Sequence, residues 1–138
     1  MDPNTGNIID YVDGRRDIAN RVIRTIGNPA ERFSEDHLRM LRAVRFAANL
    51  QYDIAPETIQ AIKEHASSIR SISAERVRDE LTKLLTCGGA RFGMETLAET
   101  NLLAEILPEV NALRGVEQPP RFHPEGDVFE HTALMLDA

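Results

Sequence analysis

The chain has 138 residues, 42% of them hydrophobic, with a net charge of −6 and a single cysteine. That length suffices for one ordinary core or for parts of two adjoining modules. It contains no apolar run near the ~18 residues a membrane span needs and no secretory leader, and one Cys allows neither an internal disulfide nor a thiolate metal cluster. A soluble, cytoplasmic protein without a membrane partner is the expectation, with Cys87 as a small buried or half-buried filler.

The net charge hides an asymmetry. Residues 1–50 carry eight Arg and no Lys against seven acids, whereas residues 51–138 carry eight basic against fifteen acidic side chains. Arginine offers a planar fork of donors suited to carboxylates, phosphates and base edges, so the first third reads as a recognition surface and the remainder as a solvated scaffold.

In chain order, residues 7–12 and 22–26 are β-branched or aromatic runs between turn-rich segments, and predict two short strands at the edge of a sheet whose remainder is absent. From Ser34 the pattern turns helical. Ser34 is placed to cap, Glu35 and Asp36 complement the positive end, and Leu38, Leu41, Val44 and Ala48 form a stripe that runs through Asn49. A second helix opens at Pro56 and carries Ile59, Ile62, Ala66 and Ile69; a third starts at Ser73, carries Val77, Leu81, Leu84 and Leu85, and stops at Gly88-Gly89. A fourth covers residues 90–99, and a short one covers 102–107 before Pro108. Residues 115–126, with three prolines, predict a loop, and a last helix starts near Asp127. The fold class expected is mainly α, a helical bundle with a short N-terminal β remnant.

Asp36 and Arg39 are the chemically pointed pair. Three apart on one helix, they fit a surface salt bridge. They also fit a reader of base edges. A carboxylate accepts from an exocyclic amino group while a guanidinium donates to the adjacent ring acceptor, which matches cytosine and adenine and rejects uracil and guanine at about 1–3 kcal/mol per wrong pairing.

Glu35-Asp36-His37-Leu38-Arg39, continued by Arg42-Ala43-Val44-Arg45-Phe46, resembles the base-reading motif of the class II tRNA nucleotidyltransferases and bacterial poly(A) polymerases. Residues 10–18 and 23–29 resemble that family's link between catalytic head and neck, and residues 73–81 resemble its next neck helix. The likeness runs over roughly residues 2–110. It implies that Asp36 and Arg39 read the base, and that Glu35, Arg42 and Arg45 orient the motif or approach the nucleotide. Arg42 and Arg45 lie about 120° and 180° from Asp36 on an ideal helix, so one is expected to meet triphosphate or tRNA and another to brace the domain. Asp17 and Arg24 are candidate interdomain ion-pair partners, and Glu75 with Arg76 candidate supports of the neck. Glu75 is also explained by its place at a helix start alone.

The resemblance further implies partners, CTP, ATP and a tRNA or other RNA 3′ end, and a cofactor, Mg2+, held by an Asp-x-Asp pair in a head domain. Neither that pair nor its preceding Gly-Gly turn occurs here, so no catalytic residue is assigned. The organisation expected is residues 1–30 as the edge of the head, 31–114 as a helical neck and body that selects nucleotide and binds RNA, and 115–138 as a linker and first helix of an HD-type phosphohydrolase domain. His131 would be one metal ligand of that domain, with the others beyond Ala138. The competing readings are a non-catalytic helical RNA- or nucleotide-binding module and an HD-type hydrolase piece. CCA addition and poly(A) addition are not separable on these residues.

Overall fold

In the computed structural model of the chain, residues 3, 5, 6 and 8–137 are described. The front differs from the strand expected over 7–12: Asn7 lies outside the described residues, and 8–13 form no strand. The Asp10 carboxylate turns the chain there. It accepts from the N–H groups of Val12, Gly14 and Arg15 at 3.2, 3.0 and 2.8 Å. Those donors include the first N–H groups of helix α1 (Gly14–Asn20), so a cap four residues upstream nucleates a helix that the residue pattern did not predict. Residues 22–26 shrink to strand β1 (Val22–Ile23).

Where one helix was expected from Ser34, there are two. Asn28 Oδ1 accepts from Ala30 and Glu31 and starts α2 (Pro29–Glu35), with Pro29 in its first turn. Ser34 is therefore no cap; its hydroxyl donates to the Ala30 carbonyl at 2.8 Å. At Asp36 the backbone becomes extended, φ −151° and ψ 105°, and α3 (Leu38–Leu50) begins. A left-handed Gln51 ends α3, and the chain forms β2 (Asp53–Ile54), which pairs in parallel with β1, Val22 opposite Asp53 and Ile23 opposite Ile54. The expected edge strand thus finds its partner within the chain.

Helix α4 (Pro56–His65) ends sooner than its stripe suggests and continues as a 3-10 segment, Ala66–Ser71. Helix α5 (Ala74–Thr86) is capped by Ser73 as expected. The left-handed Gly89 lets the chain turn directly into α6 (Ala90–Glu99), and any Cβ there would collide with the Ala48 carbonyl. Next come α7 (Leu102–Ile106), α8 (Pro108–Asn111), in which Pro108 opens a new turn rather than only ending the last, and α9 (Val128–Met135). Cys87 is exposed, against expectation, because α5 turns its last residues to solvent.

One core joins these helices. Phe33 from α2, Leu38, Met40, Leu41 and Val44 from α3, Ile62 from α4, Leu84 from α5, Leu97 from α6 and Leu102 and Leu103 from α7 are all buried. Each such side chain contributes about 1.5–3 kcal/mol of transfer free energy. Helix α3 sits at the centre, packed on α5 and α6, and this fixes the α2–α3 break against the N-terminal end of α5. No helix among the described residues is long and apolar enough to cross a membrane.

Candidate nucleotide-recognition site

The break at Asp36 decides what its side chain does. In a continuous helix, Asp36 would neighbour Arg39 laterally; in the extended conformation its Oδ1 accepts from the Leu38 N–H at 3.1 Å and covers the start of α3. Its other oxygen, Oδ2, lies 3.1 Å from Arg76 Nη2 on α5. The surface salt bridge between Asp36 and Arg39 is therefore not formed. Burial disfavours ionisation of Asp36, but the Leu38 N–H and then the Arg76 guanidinium outweigh it and hold the carboxyl below its ordinary value.

Arg39 is anchored separately. Its Nη1 donates to Glu35 Oε2 at 2.5 Å and to the Arg32 carbonyl at 3.0 Å. Glu35 also accepts from Arg32 at 2.8 Å, and its carboxyl is lowered chiefly by the Arg39 hydrogen bond. The two expected base readers thus leave the same break, one steadied by α5 and the other by the last turn of α2. Each has donor or acceptor capacity beyond these contacts, since a carboxylate has about four lone-pair sites and a guanidinium five N–H groups.

Arg42 and Arg45, only about 60° apart on an ideal helix, converge on one carboxylate. Arg42 Nε lies 3.1 Å from Glu80 Oε1 and Arg45 Nε 2.6 Å from Oε2. Glu80 is 4% exposed, and the Arg45 guanidinium also covers the Phe46 ring at 4.2 Å. Burial pushes the Glu80 carboxyl up, yet the two arginines win and lower it. Here both arginines brace α3 on α5 through their Nε atoms, while the Arg42 side chain stays 45% exposed. Glu80 is the bracing residue that the sequence pattern did not single out. Its signal was available: it shares a helix face with Val77, Leu81 and Leu84, and an acid inside an apolar stripe needs a cation.

The supporting residues fall at the margins. Arg24 lies between Asp17, at 3.1 Å, and Glu57 of α4, and so ties α1 to the helical body. Arg76 supports Asp36 directly, and Glu75 sits exposed in the first turn of α5. His131 pairs with Glu125, beside His123, at the start of α9.

Comparison with known proteins gives the chain's relatives. The family described as the probable RNA and SrmB-binding site of polymerase A matches residues 51–113. The multifunctional CCA protein of Xanthomonas oryzae pv. oryzae is 43% identical over 141 residues, which covers 99% of this chain and 34% of that protein. The CCA-adding enzyme of Bacillus subtilis is 45% identical over 101 residues, covering 73% of this chain and 25% of its own length. The crystal structure of the Bacillus stearothermophilus CCA-adding enzyme in complex with CTP superposes with a TM-score of 0.73 at 43% identity, over 76% of this chain and 27% of that one. The chain belongs to the tRNA nucleotidyltransferase and poly(A) polymerase family. It spans about a third or less of the length of these relatives, and its helical body matches that of the CCA-adding enzyme.

Proposed function

We propose that this chain is the nucleotide-selecting neck of a tRNA nucleotidyltransferase that adds CCA to RNA 3′ ends, with poly(A) addition as the related alternative. In this reading Asp36 and Arg39 accept from and donate to the Watson-Crick edge of CTP or ATP, and uracil and guanine are rejected because their edges carry the opposite pattern. The observation that carries it is the α2–α3 break, from which a lowered carboxylate and an anchored guanidinium leave together. The Arg42–Glu80–Arg45 clamp keeps that break rigid, so that selection costs little reorganisation at the moment of binding. The proposed organisation is residues 1–30 at the edge of a catalytic head, 31–114 as the neck and body that meets RNA, and 115–138 as the entry to an HD-type domain.

Among the described residues, the only group of three or more His, Cys, Asp or Glu side chains with converging ligand atoms is His123, Glu125 and His131. That set does not suit Mg2+, which requires octahedral oxygen ligands. The metal chemistry of transfer is therefore assigned to a head domain carried elsewhere in the full enzyme, a cytoplasmic one. Two outcomes check the proposal. The 138-residue chain incubated with tRNA, CTP, ATP and Mg2+ should give no 3′ extension, and any incorporation of C or A at the tRNA 3′ end would contradict it. In a full-length enzyme carrying this segment, Arg39→Ala should weaken CTP and ATP use together, because the ring acceptor of each base loses its donor.

A further inference from the structure

The loop ahead of α9 is held by its own backbone. Phe122 and His123 donate to the Pro119 carbonyl at 3.0 and 3.1 Å, and Val128 donates to Val116 at 3.0 Å. Asp127 caps α9 through Glu130 N–H at 2.8 Å and accepts from Gly115 N–H at 2.6 Å. Gly126, at φ +132°, reverses the chain where a side chain would strike the Glu130 carboxylate. This folding brings His123 and Glu125 back over the first turn of α9, where His131 projects. Glu125 Oε1 lies 3.3 Å from His123 Nδ1 and in hydrogen-bond contact with His131 Nδ1. The two rings stand edge to face, centroids 4.9 Å apart. One ligand atom from each residue lies within 4.8 Å of the others, and all three side chains are half-buried.

We propose that His123, Glu125 and His131 bind a first-row divalent cation such as Zn2+, through the two Nδ1 atoms and the Glu125 carboxylate. Two imidazole nitrogens converging on one carboxylate oxygen can be held by protons or by a metal ion, which replaces both protons and leaves each Nε2–H outside. Two nitrogens and one oxygen select zinc-like cations over Mg2+ or Ca2+. A depression of about 370 Å3 lined by Gln118, His123 and Asp127 adjoins the cluster. The Gln118 side-chain Nε2 is buried there with no hydrogen-bond partner, and it could donate to the water ligands that a three-residue set leaves to complete. The HD-type expectation takes only His131 from these three, whereas this site needs His123 and Glu125. The site is independent of the nucleotide-reading proposal.

The test titrates Zn2+ and then Co2+ into the 138-residue chain at about pH 7. Saturable binding of one ion per chain is expected, with visible Co2+ ligand-field bands of a four- or five-coordinate site. His123→Ala, Glu125→Gln and His131→Ala should each weaken binding by more than about tenfold, while His65→Ala should not. Nitrogen chemical shifts of the unsubstituted chain provide a readout immune to misfolding of a variant: Zn2+ should move His123 and His131 and leave His37 and His65 in place. Absence of saturable binding, binding indifferent to His123→Ala and Glu125→Gln, or shifts at His131 alone would overturn the proposal.

Discussion

Residues 8–27 and residues 29–113 handle apolar side chains in opposite ways. In the second region α3 is encased, with Leu38, Met40, Leu41 and Val44 all buried. In the first, α1 buries nothing, and Ile8, Ile9, Val12, Ile18 and Ile26 are exposed, with Tyr11 87% exposed. The front is held instead by polar devices, namely the Asp10 cap, the Asp17–Arg24–Glu57 chain and two residues of parallel strand. Exposed ion pairs contribute about 0–1 kcal/mol each, far less than buried leucines. The difference teaches that this chain carries a helical body with its own buried core, on which the α2–α3 break is mounted, and an apolar front whose surface suits further contact.

The largest expected effect contrasts the same truncation in the two regions. Leu41→Ala should destabilise the chain by about 3 kcal/mol, through lost transfer energy and a cavity. Ile18→Ala, at a residue 64% exposed, should change stability by less than about 0.5 kcal/mol. Urea denaturation of both variants measures this, and equal losses would abolish the distinction.

Glu80→Gln comes next, at about 2 kcal/mol, since it removes the buried partner of two arginines that retain some solvent. Its pH dependence has a definite sign. The folded-state pKa of Glu80 lies below the ordinary 4.5, so its contribution is present above that value and is lost as pH falls through the folded pKa. The stability gap between unsubstituted chain and Glu80→Gln should therefore be full near neutrality and close progressively below about pH 4.5. Thermal unfolding across that range checks it; a gap that widens in acid would contradict the clamp.

The smallest effect is local. Amide hydrogen exchange should show weak protection over residues 8–27 and strong protection through α3 and the core-facing part of α5. Similar protection in both would mean that the polar devices fasten the front as firmly as packing fastens the body.

The same contrast explains what could be read from sequence. Helices α3 to α7 and α9 were legible because their apolar spacing reports a face that packing then uses, and Pro56, Ser73 and Gly89 mark ends by their own chemistry. Helix α1 was illegible because it buries no residue and its cap, Asp10, sits four positions upstream. Strand β2 was missed because two residues carry no period and its partner lies about thirty residues away. The break at Asp36 has neither Gly nor Pro; a carboxylate turned onto the Leu38 N–H makes it, and such local competition with the helix is invisible to hydrophobic spacing. At the site, the residue types from Asp36 to Arg45 were legible and Arg76 was expected as a support, but the pairings of Asp36 with Arg76 and of Arg42 and Arg45 with Glu80 were not. Arg76 and Glu80 are forty and about thirty-five to forty residues distant, and only the packing of α3 on α5 brings them in.

Steady-state kinetics with all four nucleoside triphosphates test the central claim most directly, in a full-length enzyme carrying this segment with Asp36→Ala. If Asp36 reads the base, the carboxylate's rejection of a carbonyl disappears, and discrimination against UTP and GTP should fall by about tenfold or more, at about 1.4 kcal/mol per decade. Unchanged selectivity, with only a stability loss from the severed Arg76 contact, would contradict the account and return Asp36 to a purely structural role.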